Sequence, residues 1–383
     1  MCAQMHRREF VKATTAAVAG AAIGLQPTFT VHAGNPEKYD TSKILNYNPD
    51  MEYRRCGRTG WMVSAVCLGG HWKRVNRVVP GVFQGDSWLS AKLDMPEFEK
   101  NRYDVVTRCM ERGINYIDAC TREECIAYAK ALKGRRDKMY LGFSWYQEEM
   151  RSLGSRWEKA KAQGKPMPPG WITKQLQQTL DKALKITGLD YVDLWRITLH
   201  EGSSRHSDDE MYEMCEALAW AKKTGKARFT GISSHDRPHI KTWIEKGKEV
   251  LDVVVTPYTA RTKVVQDEHG LWAAMQKLDV GWFGIKPYAS GSIFKGAGIP
   301  GDPHMEEDYR IARLTLRYIL QNPAITAPIP GMICVEQVDN AALAVKERRE
   351  LDLQEKAELE RATERMWANL PYHYQWLKNW EYV

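Results

Sequence analysis

The sequence predicts a closed parallel (β/α)8 barrel, and three observations predict it. Short apolar runs alternate with longer helical patterns from residue 65 to residue 345, the signature of βαβ units around a parallel sheet. The apolar runs number eight, which suits a ring better than an open sheet. One of them, Ile114-Asn115-Tyr116-Ile117, delivers an acidic residue, Asp118, at its exit, where the βα loops of such a barrel build a site.

In order, Glu52–Arg55 and Trp61–Val63 flank a Gly-containing turn and read as an N-terminal β-hairpin. Barrel strands are expected at 65–68, 115–119, 139–143, 191–197, 227–232, 253–257, 280–285 and 325–329. Helical patterns occupy 97–112, 123–133, 171–186, 208–224, 237–249, 265–277, 307–321 and 335–345. Gly113 stands just past the first of these patterns, as a helix stop does. The segment 145–170 carries Lys and Arg runs before Lys165-Pro166-Met167-Pro168-Pro169-Gly170 and reads as a surface helix and loop. A further insertion, 289–306, follows the seventh strand. After the barrel come a charged helix over 352–368 and a tail, 370–383, too aromatic to stay solvated; it should pack on the barrel or on a protein partner.

The N-terminus reads as an address. Arg7-Arg8-Glu9-Phe10 precedes an Ala-rich run to Leu25, and Val31-His32-Ala33 offers a cleavage site. The expectation is a twin-arginine signal over 1–33, a linker or arm over 34–50, a barrel over 51–350 and a C-terminal helix and tail over 351–383. Export to a bacterial periplasm follows. The Ala/Gly-rich run is too short and weakly apolar for a membrane span. A net charge of +7 with acids interspersed gives no basic block for nucleic acid. Eight scattered cysteines, one of them Cys2, do not form a disulfide framework.

Six blocks resemble the aldo/keto reductases, in that family's order. They are MEYRRCGRTGWMVSAVCLGG, GINYIDA, ALKGRRDKMYLG, LDYVDLW, KKTGKARFTGISS and GIKPYASG with IPGMICVEQVDNA. The resemblance implies reduction of a carbonyl, or oxidation of an alcohol, with NADP or NAD, and a small-molecule substrate such as a sugar. In that family a Tyr donates the proton, a Lys and an Asp tune it, and a His orients the substrate. A phenol titrating near pH 10 donates usefully near neutrality only if cationic charge stabilises its phenolate. Asp118 matches the Asp, but Glu123 stands at the Tyr position, Ser144 at the Lys position and Thr198 at the His position, with His200 two residues on. The catalytic candidates are therefore Asp118, His200, and Glu123 or Tyr146 (or Tyr116) as proton carrier.

The cofactor loops resemble the family more closely. Ser233 matches a residue that holds the nicotinamide amide, and Ser234 replaces an Asn that helps it. Lys286, Pro287, Ser290 and Gly291 match the pyrophosphate loop, and Gly331 and Gln337 the adenosine-phosphate loop. No Arg or Lys within that last segment marks a 2′-phosphate, so NAD and NADP both stay open. Two other readings were available. One is a catalytically silent barrel acting as a binding or scaffold subunit through its tail. The other is a divalent metal held by His71, Asp118, Cys120, His200 and His235, which lacks any H-x-H or C-x-x-C spacing.

Overall fold

The structure, a computed structural model, describes residues 40–199, 206–262 and 270–378. The signal segment, residues 34–39 of the arm, His200, the start of the 265–277 helix and residues 379–383 lie outside the described residues. Strands β1 (Tyr53–Arg55) and β2 (Met62–Ser64) form the antiparallel hairpin, Tyr53 opposite Ser64. It seals the floor of the barrel. Trp61 stacks on Tyr140 at 4.4 Å and meets Phe229 edge-on at 4.7 Å, so one end is filled and only the other is open for a site.

Eight parallel strands follow: β3 (Leu68–Gly69), β4 (Tyr116–Ala119), β5 (Tyr140–Phe143), β6 (Val192–Thr198), β7 (Ala227–Ser233), β8 (Val253–Pro257), β9 (Gly281–Ile285) and β10 (Ala327–Ile329). Each pairs with its neighbour in chain order. The ring closes where the Cys67 and Gly69 amides donate to the Pro328 and Pro330 carbonyls at 3.1 and 2.8 Å. The first barrel strand starts later than the apolar run 65–68 suggests. The Ala65 amide still bonds Glu52 of the hairpin, and the Ser64 hydroxyl donates to the Val66 carbonyl, so 64–66 is committed to the turn.

Around the ring run α1 (Pro96–Glu111), α2 (Arg122–Ala131), α3 (Met150–Ala162), α4 (Trp171–Thr187), α5 (Asp208–Lys223), α6 (Arg237–Lys246), α7 (Leu271–Lys277), α8 (Met305–Leu320) and α9 (Val335–Lys346). Their starts obey local chemistry: Pro96 opens α1 at its first turn, and capping boxes on Thr121 and Ser207 start α2 and α5. Outward strand residues such as Ile117 and Ala119 pack under the helices, while inward ones such as Tyr116, Leu194 and Phe283 fill the barrel. Each fully buried aliphatic or aromatic side chain contributes about 1.5–3 kcal/mol. Helix α10 (Leu353–Ala368) then lies against α8, held by the buried Arg317–Glu355 pair at 2.8 Å. The described part of the tail, a tight 3-10 turn Tyr372–Lys378, folds back and buries Tyr374 and Leu377 beside Ile293 and Ile311. Among the described residues no helix is long and apolar enough to cross a membrane.

Candidate active site

Alternation along β4 turns Tyr116 and Asp118 into the barrel and Ile117 and Ala119 out of it. Asp118 is only 4% exposed and borders a cavity of about 380 Å³ at the open end. Its carboxylate is gripped by Arg196 of β6, Nε to Oδ1 at 2.9 Å and Nη2 to Oδ2 at 2.6 Å, a two-pronged pair buried on both sides. Gly142 of β5 lies between the two strands, in register with Asp118. A Cβ there would fall on the Tyr116 hydroxyl and crowd Asp118, so the bare backbone is what lets the pair form across it. The Tyr116 hydroxyl donates to Asp118 Oδ1 at 3.3 Å, and burial with the adjacent carboxylate pushes this phenol well above its ordinary range. Tyr116 thus stays protonated and buried beneath the carboxylate. Burial works against the Arg196 charge, but Asp118 overrides it and holds the guanidinium well above its usual value.

Where the resemblance expects a Lys, Ser144 donates to Glu149 at 2.6 Å and bonds Thr198 at 2.8 Å. Glu149 is fully buried and also accepts from the Trp145 amide, the Trp195 indole and the Thr198 amide at 2.8, 3.1 and 3.1 Å. Burial raises its pKa, and these donors oppose the rise. The positive charge beside Asp118 comes from Arg196, one strand further round than Ser144. Arg196 Nη1 also donates to Thr198 at 2.9 Å.

Of the residues singled out in the sequence, Asp118 and Tyr146 line the cavity, as do Ser233, Lys286, Pro287, Ser290, Gly291, Gly331 and Gln337. Glu123 does not. The capping box starts α2 at Arg122, which makes Glu123 a first-turn residue whose carboxylate accepts from Gln147 Nε2 at 2.8 Å. Ser234 is buried just behind the wall, and its hydroxyl accepts from the Asp236 amide at 3.2 Å. His200 lies outside the described residues. His71, Cys120 and His235 do reach the cavity, but His71 bonds Glu124 at 2.6 Å and Asp118 is held by Arg196. Among the described residues no three such side chains gather as a metal site. Cys120 stays a thiol: burial raises its pKa, against the pull of Arg196.

The loops after β9 and β10 carry unusual backbone. Lys286, Ala289 and Ser290 all have positive φ (60°, 44° and 62°), a strained run in non-glycine residues of the kind that clusters at ligand clamps. Gln337 ties the two loops together, accepting from the Ile333 amide at 2.9 Å and donating to Gly298 at 2.8 Å. Helix α9 begins at Val335 with no side-chain cap hydrogen bond from Cys334, and Ile333 and Gln337 at its start border the cavity. Beneath, buried Arg102 donates to the Met332 and Ile333 carbonyls at 3.0 and 3.1 Å, so a cation outside the segment shapes the loop. Among the wall residues that sequence reasoning missed are Lys73, Trp88, Arg196 and Tyr374. Arg196 left a signal, a charge in the middle of the apolar run Leu194-Trp195-Arg196-Ile197, and Tyr374 lies in the aromatic tail whose composition already pointed to burial.

Comparisons with known proteins bear on the family and the fold. L-Glyceraldehyde 3-phosphate reductase of Escherichia coli is 27% identical over 295 residues, 73% of this chain and 71% of the relative. L-Galactose dehydrogenase of Arabidopsis thaliana is 24% identical over 201 residues, 48% of this chain and 61% of the relative. Among solved structures, an aldo/keto reductase from Klebsiella pneumoniae in complex with NADP and acetate aligns with a TM-score of 0.54 at 17% identity, covering 81% of this chain and 94% of that one. The holo form of an aldo-keto reductase from Bacillus halodurans gives 0.53 at 18% identity, covering 82% and 96%. These structures share the fold. The aldo/keto reductase family model matches residues 91–364, and the chain belongs to the aldo/keto reductase family.

Proposed function

We propose that the protein is an exported oxidoreductase that moves a hydride between NADP or NAD and a small carbonyl or alcohol, a sugar-like aldehyde or polyol. The observation that carries this is the buried Asp118–Arg196 pair on the wall of the same cavity that Ser233, Lys286, Ser290 and Gly331 reach. The residues present fit a dinucleotide: the positive-φ run 286–290, with its lysine and serine, and the start of α9 border the same cavity. Ser233, Lys286, Pro287, Ser290, Gly291 and Gly331 would hold it, and when bound it supplies the hydride.

The chain's own contribution is positioning and proton handling. Arg196 fixes the direction of the Asp118 carboxylate, and the Ser144–Glu149 network fixes Thr198 against Arg196. The pair presents charge in a place screened from water, where it acts most strongly on a polarising carbonyl. Tyr146, on the cavity wall with its backbone amide on the Cys120 carbonyl at 3.2 Å, is the phenol we assign to move the proton to or from the substrate oxygen. The names of the two curated relatives support a substrate of triose or aldose character. Residues 1–33 are the twin-arginine signal in this reading, and replacing Arg7 and Arg8 by Lys should leave the precursor in the cytoplasm.

The test is consumption of reduced nicotinamide, followed by its absorbance, over a panel of aldoses and short aldehydes with residues 34–383. Turnover that Asp118→Asn abolishes supports the reading. No turnover with either nucleotide, or equal turnover by the variant, sinks it.

A further inference from the structure

We propose that the C-terminal turn Tyr372–Lys378 is a gate across the dinucleotide groove, closed by Tyr374 and Trp376 and pushed aside by the entering nucleotide. The inference rests on the cofactor loops assigned above. Tyr374 is 6% exposed and forms part of the cavity wall. Lys73 Nζ lies 3.1 Å from its hydroxyl and 3.1 Å from Ser290 Oγ, so phenol, ammonium and loop hydroxyl are knotted together. Lys286 Nζ stands 5.1 Å from the centre of the Tyr374 ring and 5.6 Å from that of Trp376. Trp376 in turn lies flat on His235, centroids 4.0 Å apart and planes 11° apart. His235 follows the Ser233-Ser234 pair, and its buried Nδ1 has no partner among the described residues.

One short turn thus touches the 286–291 loop and the segment after Ser233-Ser234, two of the three segments assigned to the nucleotide. Its phenol holds the cation and hydroxyl that phosphate oxygens would use. Phosphate oxygens carry full charge and compete well for Lys73 and Lys286 against a neutral phenol. They compete less well against a phenolate. Burial would lift the Tyr374 pKa, but Lys286 and Lys73 override it and bring it down to about 8. The groups facing the hydroxyl are Lys73, Lys286 and Ser290, with His373 edge-on to the ring at 5.1 Å and His235 under Trp376. Burial, with Lys286 adding to it, keeps His235 neutral, so the pH response falls to Tyr374. The gate therefore shuts harder as pH rises through 8.

The experiment measures NADPH and NADH affinity by tryptophan quenching, across pH 6.5 to 9.5, for residues 34–383, the same chain with Tyr374→Phe, and a form ending at Asn369. Losing one charge-assisted hydrogen bond from the closed state should tighten binding about tenfold in Tyr374→Phe. The weakening above pH 8 should vanish with it, and the shortened chain should bind at least as tightly. Equal or weaker binding by Tyr374→Phe, with the pH dependence retained, overturns the gate and leaves the nucleotide reading standing. Failure of every form to bind either nucleotide overturns both. Should the shortened chain unfold, Tyr374→Phe, which keeps the ring packed beside Ile293, decides alone.

Discussion

Removing Arg196 should cost far more than removing an ordinary arginine. Its side chain and that of Asp118 are 1% and 5% exposed, and two hydrogen bonds of 2.9 and 2.6 Å join them. Arg196→Met leaves the Asp118 carboxyl buried in a site with little water, with the 3.3 Å Tyr116 hydroxyl as its one remaining donor among the described residues. Breaking such a pair from one side costs about 3–5 kcal/mol, whereas replacing both ends is often neutral. Asp118→Asn combined with Arg196→Met should therefore recover at least about 2 kcal/mol relative to the single Arg196 variant, as strongly coupled neighbours do. The assay is a double-mutant cycle in urea, read by tryptophan fluorescence with the m-values compared. An Arg196→Met loss below about 1 kcal/mol, or strictly additive losses, would show that the pair is not the buried, mutually dependent unit described.

Three further outcomes follow from the same geometry. Tyr146→Phe should lower kcat by about 10²- to 10⁴-fold with a smaller effect on KM; an unchanged kcat would remove Tyr146 from proton transfer. Gly142→Ala should lose about 1–3 kcal/mol in urea unfolding, because its Cβ meets the Tyr116 hydroxyl; wild-type stability would show that β4 and β5 are spaced differently. Tyr374 titrates at about 8 when folded and near 10 when unfolded, so its ionised form is favoured by folding. That contribution is complete above pH 10, shrinks as pH falls and is gone below 8, at most about 2–3 kcal/mol. Wild type and Tyr374→Phe should thus diverge between pH 8 and 10 and run parallel below; parallel curves throughout would deny the phenolate.

The barrel was legible because its determinants are local. Apolar runs, glycine stops and capping residues each act within a few positions, and strands in chain order need no long-range information to be paired. Asp118 was legible for the same reason, as a polar residue at the exit of an apolar strand. Its partner was not: Arg196 lies 78 positions away, and only the missing side chain at Gly142 brings the two together. Glu123 misled because counting five residues from Asp118 assumes a longer loop, whereas Thr121 and Glu124 start the helix at once and turn Glu123 toward Gln147. The aromatic tail announced burial but not its address. Two lysines on loops more than 200 residues apart, Lys73 and Lys286, decide where Tyr374 settles.

The account rests on one cavity serving both nucleotide and substrate, with Asp118 and Arg196 at its wall. A crystal structure of residues 34–383 grown with NADP and with NAD tests that most directly. The prediction is a dinucleotide whose phosphates contact Lys286, Ser290 and the start of α9, whose amide contacts Ser233, and whose nicotinamide ring faces Asp118–Arg196. A nucleotide bound elsewhere, or nicotinamide turned away from that pair, would contradict it.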